Sequence, residues 1–192
     1  MARLDALGLA DDTIVMFTSD HGDYMGDHQL MLKGPIHYRG IIRPPFIWCD
    51  PSQPRASRSS AFAGTIDIAP TVLARAGVPG FNGMQGKNLL PLMRGETTAV
   101  YRDMLIEEEG QRLGLGLPSR ARTRSLVTAR YRLSVYDGVE WGELYDRQTD
   151  PDESINLWDD PNAAGIRADL VLRLAKKMIE VSETSPNPTA TA

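Results

Sequence analysis

Apolar and polar positions change rhythm along this chain, and the change divides it. "TIVMF" (Thr13–Phe17) is a continuous apolar run. Such a run marks a strand covered on both faces and predicts a parallel α/β sheet. "IIRPPFIWC" (Ile41–Cys49) is a second short run. Pro44 and Pro45 limit its pairing at the start, and it is placed beside the first. Residues 2–10 read as the end of a helix with Leu4, Ala6 and Leu7 inward, broken by "GLADDT". "TIDIAPTVLARAGVP" predicts a helix with Asp67 as N-cap, Pro70 in the first turn, Gly77 at the C-terminal cap and Pro79 beyond it. The glycine-rich "GFNGMQGKNLLPLMRGE" closes this half.

From about residue 100 the texture becomes that of strands and turns. "YRDMLIEEE", "RSLVTARYRLSVYDG" and "GELYDRQTD" predict local antiparallel pairing rather than crossover units. "DDPNAAGIRADLVLRLAKKMIEV" predicts an amphipathic helix capped by Asp160, with Pro161 at its first position. Ile166, Leu170, Leu174 and Met178, at four-residue spacing, form its inward stripe. "SETSPNPTATA" is polar and predicts a disordered tail. The organisation is therefore an α/β portion over residues 1–97, a small α+β subdomain over 98–183, and a tail over 184–192.

Composition narrows the class. Apolar residues at 42% and charged residues at 24% are those of a folded globular protein. A net charge of −4 argues against a nucleic-acid partner or a membrane-surface patch. No run approaches the ~20 apolar residues of a spanning helix, and the amino terminus lacks the apolar core of a signal peptide. A soluble chain is expected, with its compartment unknown. Cys49 is the single cysteine, so no internal disulfide exists.

The chemistry gathers where "TIVMF" runs into "TSDHGDYMGDHQLMLKGP". Ligands of parallel α/β sheets bind at the carboxyl ends of strands, and Ser19, Asp20, His21 and Gly22 lie there. Asp20 offers a hard oxygen and His21 an imidazole, so metal ligation is the natural hypothesis. Gly22 allows a sharp backbone turn. The same residue types also serve as a turn aspartate and a hydrogen-bonded surface histidine. Lys33 taken alone is a solvated lysine, Asp27 and His28 are polar loop residues, and two ligands do not complete a site.

That segment resembles the one following the metal-binding strand of the sulfatase family, within the alkaline-phosphatase-like superfamily. "IIRPPFIW", "TIDIAPTVLARAGVP", "GKNLLPLM" and "GELYDRQTDPDESINL" follow in the family's order and approximate spacing. The resemblance covers nearly the whole chain and corresponds to the carboxyl-terminal half of a sulfatase. It implies a partial doubly wound sheet plus a small C-terminal antiparallel sheet with a packed helix. Asp20 and His21 match the pair that coordinates the divalent cation, usually calcium and in some phosphonate- or phosphate-cleaving relatives manganese. Many arylsulfatases have asparagine in place of His21, which leaves the metal open. Lys33 matches a lysine that contacts the sulfate oxygens. His28 and His37 have no assigned counterpart and are read as structural.

The family cleaves sulfate esters with a formylglycine made from the cysteine of a C-x-P-S-R type motif, and paired aspartates complete its cation site. Neither is found here, so a truncated sulfatase is expected, its other half a potential partner. "CDPSQPR" imitates the motif through Cys49, Pro51 and Ser52, but Gln53 stands where the arginine belongs and Arg55 comes two residues late. Cys49 is read as a structural thiol. Two alternatives stand beside this reading: a phosphonate or phosphate ester hydrolase of the same superfamily, and a non-catalytic remnant or partner-complementing module. The "ELYD…DP…NL" pattern favours sulfatases. "GQRLGLGLPSRARTRS", with Arg112, reads as a solvated loop.

Overall fold

The computed structural model describes residues 1–53, 56–110, 117–183 and 185. In chain order its elements are α1 (Ala2–Ala6), β1 (Val15–Thr18), α2 (Arg39–Ile42), β2 (Phe46–Cys49), α3 (Ile68–Arg75), α4 (Leu90–Met93), β3 (Asp103–Glu109), β4 (Arg122–Thr128), β5 (Tyr131–Tyr136), β6 (Gly142–Asp146) and α5 (Ala164–Glu180). β1 pairs with β2, and β3 to β6 form a four-stranded antiparallel meander. The class is α/β with a C-terminal antiparallel sheet and a packed helix, as the sequence predicts. Among the described residues no helix is long and apolar enough to cross a membrane. Arg112 and Arg55 lie outside the described residues, as does the tail 184–192 apart from Ser185.

The β1–β2 pair corrects one expectation. It is antiparallel, with Val15 opposite Cys49 and Thr18 opposite Phe46. A continuous apolar run reports two faces suited to burial and says nothing of the neighbour's direction. Phe17 and Ile47, partners across the pair, are 59% and 57% exposed. α1 likewise buries nothing, and Leu7 is exposed instead of inward. Five residues make little more than one turn and present no stable face.

α3 begins directly after Asp67, as predicted, although the Asp67 side chain makes no capping bond to the helix. Gly77 takes a left-handed φ of +69° just past the helix, as a terminating glycine should. The buried Asp67 carboxylate reaches back to the Gly64 N–H and sideways to the Lys87 N–H and the Tyr101 hydroxyl. It thereby ties the glycine-rich loop to the helix start.

The meander has two unlike faces. Leu105, Leu126, Leu133 and Leu144 stand opposite one another across its four strands. Leu170 and Leu174 of α5 cover this row with Ala163, Leu157 and Trp158. Asp160 accepts the Asn162 N–H ahead of α5, as predicted. Ile166 and Met178, expected inward, are 37% and 38% exposed. Steps of four residues rotate the stripe by about 40° each, so only its middle points at the sheet.

The opposite face is polar yet buried. Arg132 has no exposed surface; its Nε donates to Glu153 Oε1 at 3.0 Å and its Nη1 to Glu143 Oε2 at 2.9 Å. Tyr136 and Tyr145 donate their hydroxyls to Glu143, and the guanidinium lies 4.7 Å from the Tyr145 ring. Burial pushes the Arg132 guanidinium down, but the two carboxylates outweigh it and hold the group above its ordinary range. Segment 37–39 covers this face. His37 Nδ1 is 2.8 Å from Ser125 Oγ, and the Arg39 N–H donates to Glu153 Oε2 at 3.0 Å. Burial, with Arg132's charge beside it, lowers the His37 imidazole to about 4.

Two outcomes are expected. Arg132→Met strands two buried carboxylates and should destabilise the chain by ~3–5 kcal/mol in urea unfolding, with little change in m-value. An unfolded histidine protonates near 6.5, so the unfolded chain takes up this proton first and stability should fall as pH drops from 6.5 towards 4. That loss is on the order of 3 kcal/mol, and His37→Gln should flatten it when unfolding is measured across that window.

Candidate functional site

β1 ends at Thr18, and the chain turns at once. Ser19 Oγ donates to the His21 carbonyl at 2.9 Å and lies 3.3 Å from Asp20 Oδ1. Gly22 then passes against α2: its N–H donates to the Ile41 carbonyl at 2.8 Å. A Cβ built on Gly22 would stand 1.8 Å from the Gly40 carbonyl oxygen. Glycine is therefore required, though for a different reason from the predicted sharp turn. The position lies outside the left-handed region, and what excludes a side chain is the neighbouring backbone.

The loop from Asp23 to Lys33 returns the chain to this point under strain. Met25, His28, Gln29 and Leu32 all have positive φ, between 51° and 64°. Each such residue costs roughly 1–3 kcal/mol and persists where surrounding contacts over-determine it. Tyr24 is one such contact: its hydroxyl donates to the Ile36 carbonyl and accepts the Ile36 N–H, while its own N–H donates to the Leu32 carbonyl. His28 adds a second by stacking on the Tyr38 ring at 3.6 Å.

Lys33 follows Leu32 directly, and its Nζ stands 2.8 Å from His21 Nε2. Asp20 Oδ2 lies 3.4 Å from the same nitrogen. His21 Nδ1 is 2.6 Å from the Gly22 carbonyl, which can only accept, so Nδ1 carries the proton and the Nε2 lone pair accepts from the Lys33 ammonium. The Asp20 side chain is 83% exposed and that of His21 36%, so both are reachable from solvent. The His21 backbone N–H holds the Asp20 carboxyl below its ordinary range.

This donor set suits a divalent cation in kind and falls short in number. A ligating imidazole typically has its other nitrogen fixed by a carbonyl or carboxylate, as Gly22 fixes Nδ1 here. A carboxylate and an imidazole provide two ligands, and among the described residues no group of three or more His, Cys, Asp or Glu side chains gathers for a metal. The Lys33 ammonium keeps two further N–H donors for an oxyanion. The structure thus brings Asp20, His21 and Lys33 together.

His28 and His37 stand apart in ring-stacked and buried positions. Cys49 pairs with Val15, at the far end of β1 from Asp20. In its "CDPSQPR" segment, Asp50 serves structure by accepting from Ser52 and Arg75. Sequence reasoning overlooked Tyr24 and Arg132. The "GELYD" segment carried a signal for the latter, since Glu143 and Arg132 fall on the same inward face of neighbouring strands.

Comparison with known proteins adds an independent line. The family model described as N-sulphoglucosamine sulphohydrolase, C-terminal, matches residues 26–180. The chain is 34% identical over 158 residues to the uncharacterized sulfatase YidJ of Escherichia coli K12, covering 82% of this chain and 30% of that one. The solved structure of BT4656 in complex with its substrate D-glucosamine-2-N,6-O-disulfate superposes with a TM-score of 0.84 at 25% identity, covering 98% of this chain and 38% of that one. The phosphonate monoester hydrolase of Agrobacterium radiobacter gives a TM-score of 0.84 at 27% identity, over 96% and 38% of the two chains. The chain spans 30% of the length of that Escherichia coli relative and 36% of that of an ulvan-active sulfatase of Formosa agariphila.

Gly22→Ala should force α2 away from the Asp20–His21 turn. The expected loss is ~1–3 kcal/mol in urea unfolding, with the backbone amide resonances of residues 19–23 and 39–42 displaced in NMR spectra.

Proposed function

We propose a function from an established premise: this chain belongs to the sulfatase family. In our reading it contributes one wall of a sulfate-ester hydrolase site. Asp20 and His21 furnish two ligands to a divalent cation, calcium or manganese, and Lys33 holds the oxygens of the sulfate group. The observation that carries this is the convergence of the Asp20 carboxylate, the His21 Nε2 lone pair and the Lys33 ammonium at the end of β1.

Each residue then has a defined task. Asp20, exposed and held ionised by the His21 N–H, offers negative charge to the cation. His21 is oriented by the Gly22 carbonyl; its Nε2 lone pair accepts from Lys33 and would be released to a bound cation as that ammonium turns to the sulfate oxygens. Lys33 supplies fixed positive charge where charge develops on the transferred group, the placement that favours a transition state over the bound substrate. When bound, the cation would polarise the oxyanion. A formylglycine nucleophile and the remaining cation ligands would come from sulfatase sequence beyond these residues, the share of the relatives' length this chain does not span. On this view 1–97 is part of the α/β catalytic unit and 98–183 its small subdomain. The His37–Ser125 and Arg39–Glu153 bonds join the two.

The likeness to phosphonate monoester hydrolases supports a second reading, in which the same wall serves phosphonate or phosphate esters. Both chemistries place a tetrahedral oxyanion on the cation and the lysine, so this wall by itself suits either.

Two kinds of measurement on the chain check the proposal. Calorimetric titration with calcium and with manganese should show weak binding that Asp20→Ala and His21→Ala each reduce by about tenfold or more. Hydrolysis of an aryl sulfate and of an aryl phosphonate should stay at background, because among the described residues no activated nucleophile accompanies the site. Turnover of either ester that disappears in Asp20→Ala would overturn the proposed division of labour.

A further inference from the structure

We infer that Tyr24 is the positioning residue that sets Lys33 against His21, an inference that rests on the oxyanion site proposed above. The loop joining the two is poorly fitted to hold itself. Between Asp20 and Ile36 the single buried residue is Tyr24, 2% exposed, while Met25, Met31 and Leu32 are 79%, 68% and 70% exposed. Apart from Tyr24 and the half-buried Leu30, little apolar burial along the loop draws it onto the fold. Its backbone is also unfavourable, with positive φ at Met25, His28, Gln29 and Leu32. A chain so disposed relaxes unless fixed from within.

Tyr24 fixes it at both ends. Its hydroxyl bonds both polar groups of the Ile36 peptide, at 2.9 and 3.2 Å. Its N–H bonds the carbonyl of Leu32 at 2.8 Å, one residue before Lys33. Its carbonyl accepts the Asp27 N–H, and Gly26 N–H closes onto Leu30. Its ring lies edge-on to Tyr38, which also receives the His28 stack. Tyr24 thus brackets Lys33: its backbone N–H holds Leu32 on one side, and its hydroxyl holds the Ile36 peptide three residues beyond on the other. Tyr24 does not touch the space for the oxyanion; it acts through Lys33.

The test is an NMR titration of the full chain with inorganic sulfate in the presence of calcium, comparing wild type, Tyr24→Phe, Lys33→Ala and the double variant. Tyr24→Phe keeps the ring and removes the hydroxyl; if it fails to fold, Tyr24→Met keeps an apolar plug and serves in its place. Lys33→Ala should weaken sulfate binding, Tyr24→Phe should weaken it by about tenfold, the loss of one charge-assisted hydrogen bond, and the double variant should be no weaker than Lys33→Ala alone. Wild-type affinity in Tyr24→Phe, or losses that add in the double variant, would overturn the inference. Should Lys33→Ala leave sulfate binding unchanged, the oxyanion reading itself fails. The positioning role is then decided by the His21 imidazole ¹⁵N resonances. A shift of Nε2 in both single variants upholds it, and an Nε2 resonance undisturbed by Tyr24→Phe rejects it.

Discussion

A buried guanidinium organises this structure. Arg132 lies wholly inside, where an unpaired charge would be untenable, and its partners arrive from three places: Glu143 on the next strand, Ser134 on its own, and Glu153 from the loop beyond β6. Glu153 adopts a left-handed φ of +54° to reach it. Its second oxygen is taken by the Arg39 N–H, so one carboxylate joins the meander to α2. The carbonyls of α2 then meet Gly22, which follows His21 directly. The orientation of the Asp20–His21 turn therefore depends, through two backbone contacts, on an ion pair in the other half of the chain.

The same dependence gives the "ELYD…DP…NL" segment a structural task. Glu143 and Tyr145 enclose Arg132. Asp150 accepts the Ile155 N–H, and Asn156 bonds both Gly142 and Leu144, fixing the loop that delivers Glu153. The pattern is a clamp. The candidate site it supports lies between the Asp20–His21 turn, packed against α2, and the loop to Lys33 with its left-handed residues.

Sequence made some of this legible. The four strands after residue 100, the Asp160 cap, the terminating Gly77 and the neighbouring placement of "TIVMF" and "FIWC" follow from periodicity and backbone preference, which are local properties. The direction of the β1–β2 pair does not, because the apolar run is blind to its neighbour's polarity. Ile166 and Met178 were misplaced because a four-residue stripe winds around a helix while the sheet beneath it does not. Gly22 was rightly singled out for the wrong reason, since a close approach to Gly40 depends on a backbone eighteen residues away in sequence. Arg132 and Glu143 went unseen because polar residues in strands are ordinarily placed outward, whereas His37, read as structural, is buried. Only the segment covering them shows that this face is closed.

For the site itself, resemblance supplied the roles and the structure supplies the proximity of Asp20, His21 and Lys33. The central claim is that the His21 Nε2 lone pair is a metal ligand. Pulsed electron paramagnetic resonance of the chain with bound manganese addresses it most directly. Modulation from a single imidazole nitrogen, lost in His21→Gln, is the expected result. Absence of that modulation in the wild-type chain, or its survival in His21→Gln, would contradict the claim.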